Sequence, residues 1–128
     1  MKIVVLIVRI LLGVAFLIFG VNGVLNFIPQ PPIPPGLVKD FSTVMAASHY
    51  MAAVGVVEII ASVLLLVNRY VPLALVLLGP VLVNILLFHL LMAPASIAPG
   101  IVVTIFWFVV FYSVRSAFAG IFQAKVQD

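Results

Sequence analysis

The stretch GVVEIIASVLLLV, Gly55 to Val67, decides the fold, because a run this apolar with one carboxylate inside it has no ordinary place in a water-soluble domain. Glu58 is one of only three acidic residues. The others, Asp40 and Asp128, fall in a polar segment and at the last position. Reading outward, hydrophobic residues fill 66% of the 128 positions and charged residues 7%, with a mean hydropathy of +1.46. That balance excludes a soluble fold and makes lipid the solvent. The six basic residues, Lys2, Arg9, Lys39, Arg69, Arg115 and Lys125, are scattered singly, so no basic stripe is available for nucleic acid. The chain has no cysteine, which excludes disulfides, thiol relays and thiolate-held clusters.

A hydrocarbon core of roughly 30 Å needs about 20 apolar residues per helix, and the sequence supplies four such runs. They are predicted at Ile3–Ile28, Ser48–Val67, Val71–Met92 and Ile97–Val114, with one domain covering 1–128. The breaks carry their own chemistry. PQPPIPPG, Pro29 to Gly36, cannot continue a helix. Pro72 and Pro99 sit in the first turn of the helices that follow them, where a missing N–H costs nothing. Leu37, Phe41, Val44, Met45 and Ser48 recur at helical spacing among polar residues, which predicts a short interfacial helix over 37–47. It serves either as a lid or as a plain connector. An arrangement with both termini cytoplasmic leaves Lys39 outside and puts the other five basic residues on or near the inner face. Arg9 and the length of the first run argue against a cleaved signal peptide. The expected architecture is an all-α, integral membrane, antiparallel four-helix bundle, and SAFAGIFQAKVQD after Arg115 is expected to extend the fourth helix onto the inner surface.

A rise of 1.5 Å per residue turns positions into depths. Counted from Lys2 and Asn68, Arg9 lies roughly 10 Å and Glu58 roughly 15 Å above the inner boundary, so Arg9 is expected to reach Glu58 across the first two spans. That carboxylate is either a structural tie or a ligand- or proton-binding group. Gly55, Glu58 and Ser62 share one helical face, and Gly13, Phe16, Gly20 and Gly23 share another. Small residues beside a polar one let helices approach closely. Toward the opposite side lie Asn84 and His89, with Asn22, Asn26 and His49 at a similar level. The histidines read first as interfacial residues, and two of them without a converging carboxylate supply no metal site. In the last run Trp107 falls near mid-depth, and Phe108, Phe111, Tyr112 and Arg115 form either a flat-ring binding wall or a lipid-facing surface.

These residues carry a resemblance. Arg9 and then Gly20 in the first span, a proline-containing outer loop, Gly55-x-x-Glu58, and PVLVNILLFHLLMAP from Pro80 to Pro94 occur in the order of the DoxX family of small four-helix membrane proteins. Asn84-Ile85-x-x-x-His89 is similar to the signature of one DoxX-like subgroup. The resemblance implies a multi-pass protein of a bacterial inner membrane. Because some members resemble or partner with membrane subunits of quinone-linked oxidoreductases, it also implies a quinone or similar lipophile as ligand and a separate redox protein as partner. Arg9, Glu58, Asn84 and His89 are the ligand-binding candidates on this view, with Asn22, His49 and Trp107 behind them. Lack of cysteine departs from any thiol-based member. No hydrolase triad or phosphate-cradling loop occurs, so no catalytic residue is assigned. The competing readings are a non-enzymatic structural or assembly protein and a small-solute or proton carrier, the latter requiring a homo-oligomer.

Overall fold

The computed structural model describes residues 1–126; Gln127 and Asp128 lie outside the described residues. It is all-helical, with no strand among the described residues: α1 Lys2–Leu25, α2 Leu37–Ala47, α3 Tyr50–Leu66, α4 Val71–Met92 and α5 Ala98–Ser113. Short 3-10 turns follow at Pro94–Ser96 and Arg115–Phe122. By length and composition α1 and α4 can each cross a membrane alone. The candidate spans number four if α2 with α3, bent by 77°, and α5 with its trailing 3-10 turn, bent by 87°, each count as one.

Local chemistry sets the ends. α1 stops at Leu25, three residues before the predicted limit, because Asn26 turns left-handed (φ 50°). The Asn22 side-chain oxygen then accepts the Ile28 N–H at 2.9 Å. Asparagine tolerates that conformation better than most residues, so it ends helices as glycine does. α3 closes in the same way. Asn68 is left-handed (φ 55°), its N–H donates to the Leu65 carbonyl at 3.3 Å, and Arg69 N–H donates to Leu64 at 3.1 Å, a Schellman pattern. The segment after Arg115 does not continue α5. The chain folds back so that Phe118 is buried with its ring 4.9 Å from Phe111, while Ile121 and Phe122 stay exposed.

α1 packs most extensively on α3, α3 also meets α4, α4 meets α5, and α5 returns to α1. The core between them is built from Leu12, Phe16, Ala61, Leu65, Leu75 and Leu78, all fully buried. Between α1 and α3 the backbones touch. A Cβ added to Gly20 would fall 2.7 Å from the Gly55 carbonyl oxygen, and one added to Gly55 would fall 2.6 Å from the Gly20 carbonyl oxygen. Gly13 faces Ser62 and Leu66, and Gly23 faces Met51, so the two helices run antiparallel with facing residue numbers that add to about 75. Lipid gives no hydrophobic drive to helix association, and close van der Waals packing of this kind has to supply the attraction.

Gly20→Ala and Gly55→Ala therefore force α1 and α3 apart, and each is expected to lower stability by about 1–3 kcal/mol. At Gly79 an added Cβ meets nothing within 4 Å. There Gly→Ala is expected to be neutral or to stabilise by up to about 1 kcal/mol through helix propensity. Thermal melts of the three variants in one detergent check this order.

Candidate functional site

The α1–α3 register fixes where the charged pair falls. By that register Arg9 stands opposite Leu66 and Glu58 opposite Leu17, about 12 Å apart along the axis, or a little over two helical turns. Arg9 Nη1 donates to the Leu65 carbonyl, and no ion pair joins it to Glu58. The expected pairing is thus not formed, for a geometric reason. Counting depths from Lys2 and Asn68 assumed that the two helices end level, whereas the 24-residue α1 overhangs the 17-residue α3 at this end. The last carbonyls of α3 carry the negative end of its dipole, and they hold the guanidinium in place of a carboxylate.

Glu58 is 5% exposed. It sits about 60° around α3 from Gly55, turned away from the glycine contact toward the interior side that also buries Leu65 and Ala61. No hydrogen bond reaches its carboxyl group among the described residues. Its neighbour Ser62 is satisfied by its own helix, donating to Ile59 O at 2.8 Å.

The polar group expected at the opposite end of the helices from Arg9 does not converge. Asn84 lies on the exposed side of α4, opposite the buried stripe of Leu75, Leu78 and Leu82, and its amide donates back to Pro80 O at 2.8 Å. His89 turns inward. Its Nδ1 is 2.8 Å from Ile85 O, and its ring stands edge-on to Phe88, which meets Phe41 of α2 at 5.1 Å. Asn22 is spent on the chain leaving α1. His49 is exposed at the left-handed corner (φ 61°) between α2 and α3. Of the four leading candidates, then, Arg9 lies at the end of the helices where α1 begins, Glu58 in the interior, and Asn84 and His89 on different faces of the second half of α4. Among the described residues no three His, Asp or Glu gather as metal ligands.

Trp107 fastens α5 to α4. Its indole N–H donates to Leu75 O at 3.0 Å, and the ring stacks on Phe111 (5.2 Å, 7°) with Phe108 edge-on at 5.1 Å. The bond falls beside the turn where Pro80 leaves the Val76 carbonyl without its helical donor.

Two concavities open at the end of the helices where α1 begins. A crevice of about 200 Å³ is lined by Lys2, Arg9, Asn68, Val71, Val110 and Ser113, among others. Beside it, sharing Lys2, Val5 and Ser113, a groove of about 710 Å³ runs between the start of α1 and α5. Its α5 wall is Ile105, Phe108, Val109 and Tyr112, a single helical stripe, with Arg115 at the end. The Arg115 guanidinium lies 3.9 Å over the Tyr112 ring and donates to Tyr112 O at 2.6 Å. Lys2, Asn68 and Ser113 went unnoticed as lining residues in the sequence. Lys2 read as a topology signal, and nothing local marked the other two.

An all-helical chain whose long helices are this apolar, with its charges at helix ends or buried, is a membrane protein. It belongs to the DoxX family, whose model matches residues 4–90. That match takes in Arg9, Glu58, Asn84 and His89 and stops before α5. Comparison with curated proteins and with solved structures found no match.

Because Arg9 and Glu58 share no contact, Arg9→Leu and Glu58→Leu are expected to add within about 0.5 kcal/mol in a double-mutant cycle. Arg9→Leu is the destabilising change, since it strips a donor from the end of α3. Glu58→Leu removes a buried group that has no partner to strand, and it is expected to leave the melting temperature unchanged or raised. A coupling above 1 kcal/mol would restore the direct pair.

Proposed function

We propose that this DoxX protein is a membrane subunit that binds a quinone-class lipophile and works beside a separate redox protein. In this reading four spans form an antiparallel bundle with both termini cytoplasmic, in a bacterial inner membrane. The basic residues support the orientation: an impermeant thiol reagent applied to intact cells is expected to label Gln30→Cys in the proline loop and to spare Gln123→Cys. The reverse pattern would invert the topology.

The observation that carries the ligand assignment is the groove between α1 and α5. Its volume, about 710 Å³, lies within the roughly 300–1,000 Å³ typical of small-ligand sites. A quinone head is flat and carries carbonyl acceptors, and its tail is apolar. Phe108 and Tyr112, 58% and 62% exposed, offer ring faces, while Ile105 and Val109 continue the apolar wall toward mid-membrane. Arg115 has donors left after its bond to Tyr112 O, and Ser113 and Lys2 stand at the same mouth. A bound quinone supplies two-electron, two-proton carrier chemistry. The chain's own residues bind and orient the head and keep its tail in lipid. With no cysteine in the sequence, the chain has no thiol relay of its own, and the partner brings the electrons.

A non-enzymatic assembly role is the second reading, favoured by Arg9 and Trp107, which both serve helix-to-helix contacts. One titration separates the two. Trp107 is the only tryptophan and adjoins Phe108, so a short-chain benzoquinone bound in the groove is expected to quench its fluorescence saturably. Val109→Phe, which fills the groove, and Arg115→Leu, which removes the donor, are each expected to raise the half-saturating concentration about tenfold, or ~1.4 kcal/mol. Quenching that rises linearly and equally in all three proteins is partitioning into detergent and leaves the assembly reading.

A further inference from the structure

Asn84 is the one feature of α4 that its own fold leaves unexplained. It lies 13 residues beyond Val71 and eight before Met92, so its carboxamide stands about 12 Å from the nearer helix end, inside the hydrocarbon layer of any arrangement in which α4 spans. The residue is exposed, and one amide N–H is used on Pro80 O. The carboxamide oxygen and the second N–H have no hydrogen bond among the described residues. A polar group in that position is costly in lipid and is found facing another protein surface. α2 sets Phe41 against Phe88 next to it yet leaves Asn84 and Leu91 exposed.

The surroundings of Asn84 have the form of a helix-packing seam. Leu73, Pro80, Asn84, Leu87 and Leu91 follow one another at spacings of seven, four, three and four, and all are exposed. That period of three and four is the one that lets two helices cross at about 20° and interlock. Gly79, beside the seam, has open space where a side chain would be. The geometry points to a second copy of this chain as the occupant, packed through α4 about a two-fold axis normal to the membrane. The argument is self-complementarity. Two copies inserted with the same topology present parallel α4 helices, so each seam position meets its own equal. An amide is the polar group suited to that meeting, because it offers both a donor and an acceptor and can pair with its twin. A lone polar residue in an apolar seam also fixes register, since any slip leaves both amides in lipid.

The chain has no cysteine, so single ones report cleanly. In proteoliposomes at high lipid excess, Leu87→Cys, on the seam, is expected to form a disulfide-linked dimer on oxidation. Ile60→Cys, exposed on α3, is expected to remain monomeric. Asn84→Leu in the Leu87→Cys background is expected to weaken the dimer about tenfold, and Asn84→Gln to retain it. In both variants the monomer's melting temperature in dilute detergent is expected to hold, since Asn84 bonds only within its own helix. The proposal is overturned if Leu87→Cys links no better than Ile60→Cys, if Asn84→Leu leaves the dimer undiminished, or if Asn84→Leu collapses the monomer's melt, which would place its work inside one chain.

Discussion

The backbone contact between Gly20 and Gly55 is the constraint on which the other placements depend. With lipid on all sides, helices gain nothing from hiding apolar surface, and what holds α1 to α3 is the proximity that two missing side chains permit. Because that approach is possible at only one level, it also fixes register. The start of α1 overhangs the end of α3, Arg9 comes to rest on the Leu65 carbonyl, and Glu58 is carried two turns beyond it. The same overhang leaves the first turn of α1 beside α5 instead of α3, which opens the groove lined by Val5, Phe108 and Tyr112.

The scarce polar side chains obey a second constraint, the need for a partner where water is absent. Most find one locally. Ser62, Thr104 and Ser113 donate to carbonyls three or four residues back, at 2.8, 2.7 and 2.6 Å, and Asn84 and His89 bond four residues back in the same manner. Such bonds mask a polar group without committing it to a neighbour. A few reach across helices, and those brace the structure: Arg9 to α3 and Trp107 to α4. Glu58 and Asn84 are left with unmet capacity, one inside the helices and one outside, and they are where a purely architectural account stops.

Much of this was legible in the sequence, and the part that was not has a common cause. Apolar runs and proline punctuation located the helices, and α4 occupies Val71–Met92 because Pro72 opens it and Ala93-Pro94 closes it, both local signals. The small-residue faces of α1 and α3 could be read from spacing and do meet. Depth could not be read. Spacing along one helix does not say where it stands against its neighbour, and the overhang of α1 past the end of α3 is what separates Arg9 from Glu58. Asn26 and Pro29 were visible as a stop signal for α1, yet the apolar Phe27 and Ile28 outweighed them in a reading by hydropathy. The facing of Asn84 depended on where α4 buries its stripe, which only tertiary packing decides.

The extent of the family match separates two layers of the molecule. Residues 4–90 hold the glycine contact, Arg9 with its carbonyl, Glu58, Asn84 and His89, so the matched stretch coincides with the α1–α3–α4 packing. The α5 wall of the groove, Ile105, Phe108, Val109, Tyr112 and Arg115, lies beyond it. Within α1, α3 and α4 most polar side chains, Arg9, Asn22, Ser62, Asn84 and His89, are already engaged by backbone, which suits a scaffold, whereas the rings that line the groove, Phe108 and Tyr112, and the guanidinium at its mouth belong to α5 and its end. Replacing Phe108 or Tyr112 alters the groove without disturbing Gly20 against Gly55, so the helix packing and the groove lining can vary independently.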